Sequence, residues 1–493
     1  MTRRLALAAL LVVATAICAT AVAPYRVFAQ LVTYPSEAPP RPLPSRPVGF
    51  PPYELHTLSN GMQVVVVMHH EQPEVNMRLM VRAGTAYDPP GKNGLATLLA
   101  SLLNQGTPTR SAEQFADAID SIGGEVGTGA GSDSISADVL VMKDSFAVGM
   151  ELLADMVRHP TFLREEIDRQ REQALSTLQV SLEDPDFIAT AVFNRLVYGS
   201  HPYGMPDTGL PASMARITRA DLGAFHGKYF APNNSILAIV GDVEDDEALA
   251  AAEREFGDWV RQPITAPALP APPKPARRVI VINKPDAVQT AVRVGQLGVP
   301  RKTPDYMALD EAIRILGGEG SNRLYRVLRT ERGLTYSASA DMNTMLLAGD
   351  FSAETDTRTE ATAEVVKLIV DQLWSLRRDR TRDQELAGAQ AYMTGSFPLT
   401  IETPGAIARQ VLNVVFYDLS LDELRTYRQR ANAISAEDVQ RVARAYLDPD
   451  RLAIVLVGNA AVFKNDLKKA GFDKYELISL DELDLTSADF KKR

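Results

Sequence analysis

The sequence states one pattern twice, and that repetition limits the architectures open to it. Ile217-Thr218-Arg219-Ala220-Asp221, Tyr229, Pro232 and Val240-Gly241 return as Ile434-Ser435-Ala436-Glu437-Asp438, Tyr446, Pro449 and Val457-Gly458, every pair 217 positions apart with no gap. Each copy places a hydroxyl residue three positions ahead of an acid, which predicts a capped helix. A Pro-containing turn follows, and then an apolar strand, Ser235 to Val240 or Leu452 to Val457, that ends at glycine. The openings also correspond, since Val64 to Val67 followed by Val75 to Val81 resembles Val279 to Ile282 followed by Val288 to Val294. Between the copies, Pro263, Pro267, Pro270, Pro272, Pro273 and Pro275 exclude a helix or a central strand, so this segment reads as a semi-rigid linker. The expected fold is therefore α+β: two duplicated domains, each a mostly antiparallel sheet with helices packed on one face.

With 493 residues, 45% of them hydrophobic, the chain is long enough for two sizeable cores. A net charge of −10 argues against nucleic acid, which rewards a basic face. Thr2-Arg3-Arg4, an apolar run from Leu5 to about Ala23, and Val27-Phe28-Ala29 together form a secretory signal cleaved after Ala29, with Ala21 as the second choice. Cys18, the sole cysteine, lies inside it. No other run is long enough to span a membrane, so no stable span is expected once the signal is removed; in a Gram-negative source the destination would be the periplasm. The expected divisions are signal 1–29, Pro-rich leader 30–52, first domain 53–262, linker 263–276, second domain 277–475 and tail 476–493. In the first domain, Ser111-Ala-Glu-Gln114 predicts a capping box opening a helix that runs to Gly123-Gly124, and Leu163 to Glu183 predicts a longer helix.

Gly94-Leu-Ala-Thr97-Leu-Leu-Ala100-Ser101-Leu-Leu-Asn-Gln-Gly106-Thr107 resembles the Gly-Leu-Ala-His-x-x-Glu-His-x-x-x-x-Gly-Thr signature of the pitrilysin or mitochondrial-processing-peptidase family of zinc proteases. In that motif two His residues four apart bind Zn²⁺ and the Glu activates the metal-bound water. Thr97, Ala100 and Ser101 stand at those three positions here. The family's third ligand, a Glu on a later helix, falls near Ser176, Thr177 and Leu178, with Thr177 at the centre. An un-ionised hydroxyl is a poor substitute for imidazole, and Ala100 cannot accept a proton. Metal and general base are expected to be absent together.

A second resemblance is intact. Ser321-Asn-Arg-Leu-Tyr-Arg-Val-Leu-Arg329-Thr-Glu-Arg332-Gly333-Leu-Thr-Tyr336-Ser337 is similar to the family's C-terminal segment in which an Arg, and a Tyr seven positions later, hold the substrate backbone and stabilise an oxyanion. That spacing selects Arg329 and Tyr336, with Arg332 a nearby competitor. A guanidinium and a phenol are suitable donors for such charge. The plainer alternative is that the Arg satisfies a carbonyl at a helix end and the Tyr fills a core edge.

Other motifs carry less. The chain has six His; His69-His70-Glu71 is the only cluster, and neighbouring side chains of an extended segment point to opposite faces. His201-Pro-Tyr-Gly204 is similar to a family loop, with His201 a structural contact. The Gly-rich stretches Gly317–Gly320 and Gly127–Gly131 lack the strand, turn and helix order of a nucleotide site, and Gly-x-Ser-x-Gly is absent.

The resemblance spans roughly Leu55 to Gly458 and implies a processing-peptidase-like half of a clamshell. Some family members act in pairs, one subunit carrying zinc and the other supplying the Arg and Tyr. The resemblance thus implies a catalytically inactive, peptide-binding subunit of a heterodimeric zinc metallopeptidase. This chain would bind no cofactor, and zinc would reside in a zinc-motif paralogue. The alternative is a non-proteolytic periplasmic scaffold or peptide-binding protein that keeps the fold.

Overall fold

In the computed structural model, residues 48–318, 320 and 322–492 are described; the signal 1–29 with Cys18, and most of the leader 30–52, lie outside them. No helix among the described residues is long and apolar enough to cross a membrane.

The first half runs β1 (Glu54–Thr57), β2 (Gln63–Met68), β3 (Glu74–Val81), α1 (Leu95–Leu102), α2 (Ala112–Asp120), β4 (Glu125–Ala130) and β5 (Ile135–Met142). It continues with α3 (Phe146–Arg158), α4 (Arg164–Ser181), α5 (Pro185–Tyr198), α6 (Arg219–Tyr229), β6 (Ser235–Gly241) and α7 (Asp245–Phe256). Residues 260–277 carry neither helix nor strand. The second half then repeats the plan with β7 (Arg278–Asn283), β8 (Gln289–Leu297), α8 (Tyr306–Ile313), a π-helical turn at Tyr325–Glu331, β9 (Thr335–Thr344) and β10 (Gly349–Arg358). It closes with α9 (Thr362–Arg378), α10 (Asp383–Ser396), α11 (Pro404–Phe416), α12 (Ala436–Tyr446), β11 (Ala453–Gly458), α13 (Ala460–Lys469) and β12 (Glu476–Ser479).

The two sheets are ordered β1-β2-β6-β3-β5-β4 and β12-β7-β11-β8-β10-β9. Their five inner and outer strands β2-β6-β3-β5-β4 and β7-β11-β8-β10-β9 match one for one, and each sheet has a parallel pair at the same place, β2 with β6 and β7 with β11. The repeat read from sequence is structural to the residue: α6 and α12 each begin at a capping box, Thr218 with Asp221 and Ser435 with Asp438. Ser111 and Gln114 likewise cap α2.

The sixth strand is where the copies differ. β12 pairs in parallel with β7, Glu476 opposite Ile280 through Ser479 opposite Asn283. Within the segment 476–493 set apart as a tail, Glu476–Ser479 is thus an edge strand of the second sheet, with Ile478 fully buried.

Helices α1, α3, α6 and α7 pack on the first sheet, burying Val64, Val66, Met77, Leu79, Leu237 and Ile239. α8, α9, α12 and α13 do the same for Val281, Val292, Val294, Ile454 and Leu456 of the second. The opposite faces are also covered, each by a helix from the other half. α11 sets Ile407, Ala408, Val411, Leu412 and Val415 against Val65, Val67, Ile236, Ala238 and Val240. α5 sets Ile188, Ala189, Val192 and Phe193 against Ile280, Ile282, Val455 and Val457. Burying a large aliphatic side chain stabilises by roughly 1.5 to 3 kcal/mol, so each exchanged helix contributes on the order of 5 to 10 kcal/mol before chain entropy is subtracted. β6 and β11 are buried along their whole length because of this two-sided cover.

Candidate functional site

α1 begins at Gly94, whose φ of +92° is left-handed, and a Cβ there would lie 2.8 Å from the Thr208 carbonyl oxygen. Only glycine lets the loop 207–209 approach this closely. The Asp88 carboxylate accepts the backbone N–H groups of Gly94, Leu95 and Ala96 at 2.8, 3.1 and 2.9 Å, capping α1 from outside it. Burial pushes Asp88 up to about 7 despite those bonds.

The side chains at the four zinc-motif positions have other occupations. Thr97 Oγ1 donates to the Asp207 carbonyl at 2.5 Å, and Ser101 Oγ donates to the Leu98 carbonyl at 2.8 Å. Ala100 is buried in the first core. Thr177, exposed on α4, donates to the Gln173 carbonyl at 3.0 Å. Three hydroxyls committed to backbone carbonyls and one methyl group do not fit a zinc ion, which takes imidazole, thiolate or carboxylate donors. Thr97→Val should leave the fold intact and cost about 1 kcal/mol for the lost hydrogen bond, read as a small fall in the urea midpoint.

Arg329 and Tyr336 meet at the outer edge of the second sheet. Arg329 lies in the last turn of the π-helical segment, and its Nη1 donates to the Tyr336 carbonyl at 2.8 Å. Its guanidinium stands 4.4 Å from the Tyr336 ring centre and 5.7 Å from that of Tyr325. Tyr336 is 82% exposed, which removes the core-edge reading for its ring, whereas Arg329 does satisfy a carbonyl. The reason Tyr336 stands out is a β-bulge: Ala338 faces Thr355 and Thr335 faces Thr357, so Tyr336 and Ser337 together oppose Asp356 alone. Bulges re-aim side chains, and Arg329 takes the Tyr336 carbonyl that falls out of the regular ladder. Among the described residues Arg329 has no carboxylate partner, whereas its competitor Arg332 lies 3.8 Å from Glu364. The remaining donors of Arg329 have no carboxylate acceptor among the described residues.

The other sequence candidates are structural. His201 is buried, its Nδ1 accepting the Tyr203 N–H at 3.2 Å, and burial lowers its pKa. The Tyr203 hydroxyl donates to Asp133, whose second oxygen accepts the Leu346 N–H at 2.7 Å, so this loop ties the halves together. His69 and His70 diverge: His70 Nδ1 is 2.6 Å from Asp242, and His69 Nε2 is 3.9 Å from Glu71. Sequence reasoning had no signal for the bulge or for Asp207, because both depend on what faces them across the fold.

Residues 63–205 match the family described as insulinase (peptidase family M16), and residues 216–393 match the peptidase M16 inactive domain. A Mycobacterium bovis protein named an uncharacterized zinc protease is 27% identical over 85% of this chain and 96% of its own length. A Bacillus subtilis protein of the same description is 24% identical over 78% and 93%. Among solved structures, a peptidase M16 inactive domain from Pseudomonas fluorescens is similar with a TM-score of 0.78 and 28% identity, covering 82% of this chain and 98% of that one. A protease from Helicobacter pylori has the same fold, with a TM-score of 0.78 and 22% identity, covering 83% and 99%.

Proposed function

Since the chain belongs to the insulinase or pitrilysin-like peptidase family, we propose that it is a catalytically silent, peptide-binding subunit that completes a zinc peptidase with a zinc-motif paralogue. The observation that carries this reading is an asymmetry between two sites. Thr97, Ala100, Ser101 and Thr177 offer no zinc donor, while half-buried Arg329 and exposed Tyr336 are presented together at a sheet edge. Mutational loss at a redundant site would be expected to spread to both, whereas a division of labour keeps one. A peptide held in extended form beside such an edge would exchange backbone hydrogen bonds, with Arg329 donating to a carbonyl and Tyr336 donating to charge as it develops. The zinc and general base would come from the partner, and both chains would be exported.

The test is reconstitution. The chain alone, a zinc-motif paralogue from the same source alone, and their mixture are assayed on quenched-fluorescent peptides. The mixture should exceed the sum of the separate rates, with none from this chain. A paralogue equally active without it supports the scaffold alternative, and hydrolysis by the chain alone overturns its silence.

A further inference from the structure

Far from α1 in sequence, β1 and the first turn of α7 bring together Glu54, His56 and Asp245. Their ligand atoms all lie within 4.8 Å of one another, and among the described residues no other group of three or more His, Cys, Asp or Glu converges in this way. Glu54 and His56 are two apart on one strand, so they share a face. In-register pairing of Glu54 with Val66 and of His56 with Val64 fixes that strand. Asp245 opens α7, whose Ala248, Ala251, Ala252 and Phe256 are anchored in the first core. All three groups therefore stand on framework elements rather than on loops.

One nitrogen faces both acids: His56 Nε2 is 3.1 Å from Asp245 Oδ1 and 3.7 Å from Glu54 Oε2. A single N–H can serve Asp245 well but leaves Glu54 beyond hydrogen-bond range. Two ligands held tetrahedrally at about 2.0 to 2.1 Å from one metal ion are separated by about 3.3 to 3.4 Å, between the two observed distances. Neither carboxylate has a Lys or Arg partner among the described residues; each has only His56 within ion-pair range. Asp246 and Glu247 add further negative charge in the same helical turn. Two unneutralised carboxylates and an imidazole, partly open to solvent, make a donor set suited to a borderline cation such as Zn²⁺, with a remaining position for water.

We propose that Glu54, His56 and Asp245 form a divalent transition-metal site that clamps the edge strand β1 to α7. The ion is structural and plays no part in peptide hydrolysis. It is also independent of the silent α1 site, because it uses none of the same residues.

ZnCl₂ is titrated calorimetrically into the metal-stripped full chain, with a parallel thermal-melting series. The expected result is one equivalent bound, with a raised melting temperature that excess MgCl₂ does not reproduce. His56→Ala and Asp245→Asn should each weaken binding at least tenfold and abolish the melting shift, whereas Thr97→Val should bind as the parent does. The second of these, a near-isosteric change at a partly exposed position, keeps the test sound if His56→Ala misfolds. Absence of binding at 100 μM ZnCl₂, or equal binding by parent and Asp245→Asn, overturns the proposal. Retained activity of the reconstituted pair alongside lost zinc binding separates this site from the peptidase reading.

Discussion

In a pair reconstituted with a zinc-motif paralogue, Arg329→Ala is expected to lower the rate of peptide hydrolysis by about 10²- to 10³-fold, because it removes a substrate-carbonyl donor and also unseats Tyr336, the donor to the developing oxyanion. The guanidinium has two tasks in this geometry. It holds the Tyr336 carbonyl at 2.8 Å, and it stands 4.4 Å from the Tyr336 ring centre, so its removal affects both donors. Tyr336→Phe removes only the phenol hydroxyl and should act mainly on kcat if that hydroxyl meets charge that forms late. Because Tyr336 is 82% exposed, its change should leave the melting temperature within about a degree of the parent. Arg332→Ala is the control: this side chain faces Glu364 and should change the rate little. If Arg329→Ala and Tyr336→Phe both leave the pair at the parent rate, the chain does not complete the site and the scaffold reading takes its place.

Glu311→Gln is expected to make the protein markedly more stable at pH 8 and almost unchanged near pH 4.5. Glu311 is fully buried on α8, and neither carboxylate oxygen has a hydrogen-bond partner. The nearby Gln390 amide gives its N–H groups to the carbonyls of Ala431 and Ile434, at 3.3 and 2.9 Å. Burial first, and then the adjacent Asp310, push the Glu311 carboxyl up to about 8, partly offset by the nearby Gln390 side chain. Its ordinary value is about 4.3. Below that, the group is neutral in folded and unfolded chains alike and sets no pH slope. Between there and pH 8 the unfolded chain ionises while the folded one stays protonated, so stability falls by about 1.4 kcal/mol per pH unit. The full loss, of order a few kcal/mol, is present above pH 8. Urea unfolding of parent and variant from pH 4.5 to 8.5 reads the difference, and parallel curves would show that Glu311 finds a partner on folding.

Glu311 also illustrates which parts of this molecule a sequence can carry. It is the sixth residue of α8, as Ala100 is the sixth of α1. The repeat that relates the halves was legible because caps, turns and strand ends are local: Thr218 with Asp221, Ser435 with Asp438, and the glycines that close β6 and β11. Zinc-motif losses and the Arg329–Tyr336 spacing were legible for the same reason. The apolar run Ile236 to Val240 was legible as a strand, but the expected arrangement placed helices on one face of the sheet only. What covers the second face was not legible, since an apolar stripe on a helix fixes which side is buried but not against what. The bulge at Tyr336 and the recruitment of 476–479 as a strand also depend on partners far away in the chain.

The reciprocal placement of α5 and α11 has a dynamic consequence. For the halves to swing apart, Val411 and Leu412 would have to leave Val65 and Ile236 while Val192 and Phe193 left Ile280 and Val455, exposing two apolar surfaces to water in one movement. Such a step resembles unfolding more than hinge bending, and the loop 260–277 that joins the halves is not a pivot around which they can turn. On this packing the two halves, both within residues 48–492, are expected to move together. On the proposed pairing, entry of a long peptide would then be gated between the two molecules, at a rate set by how tightly they hold each other.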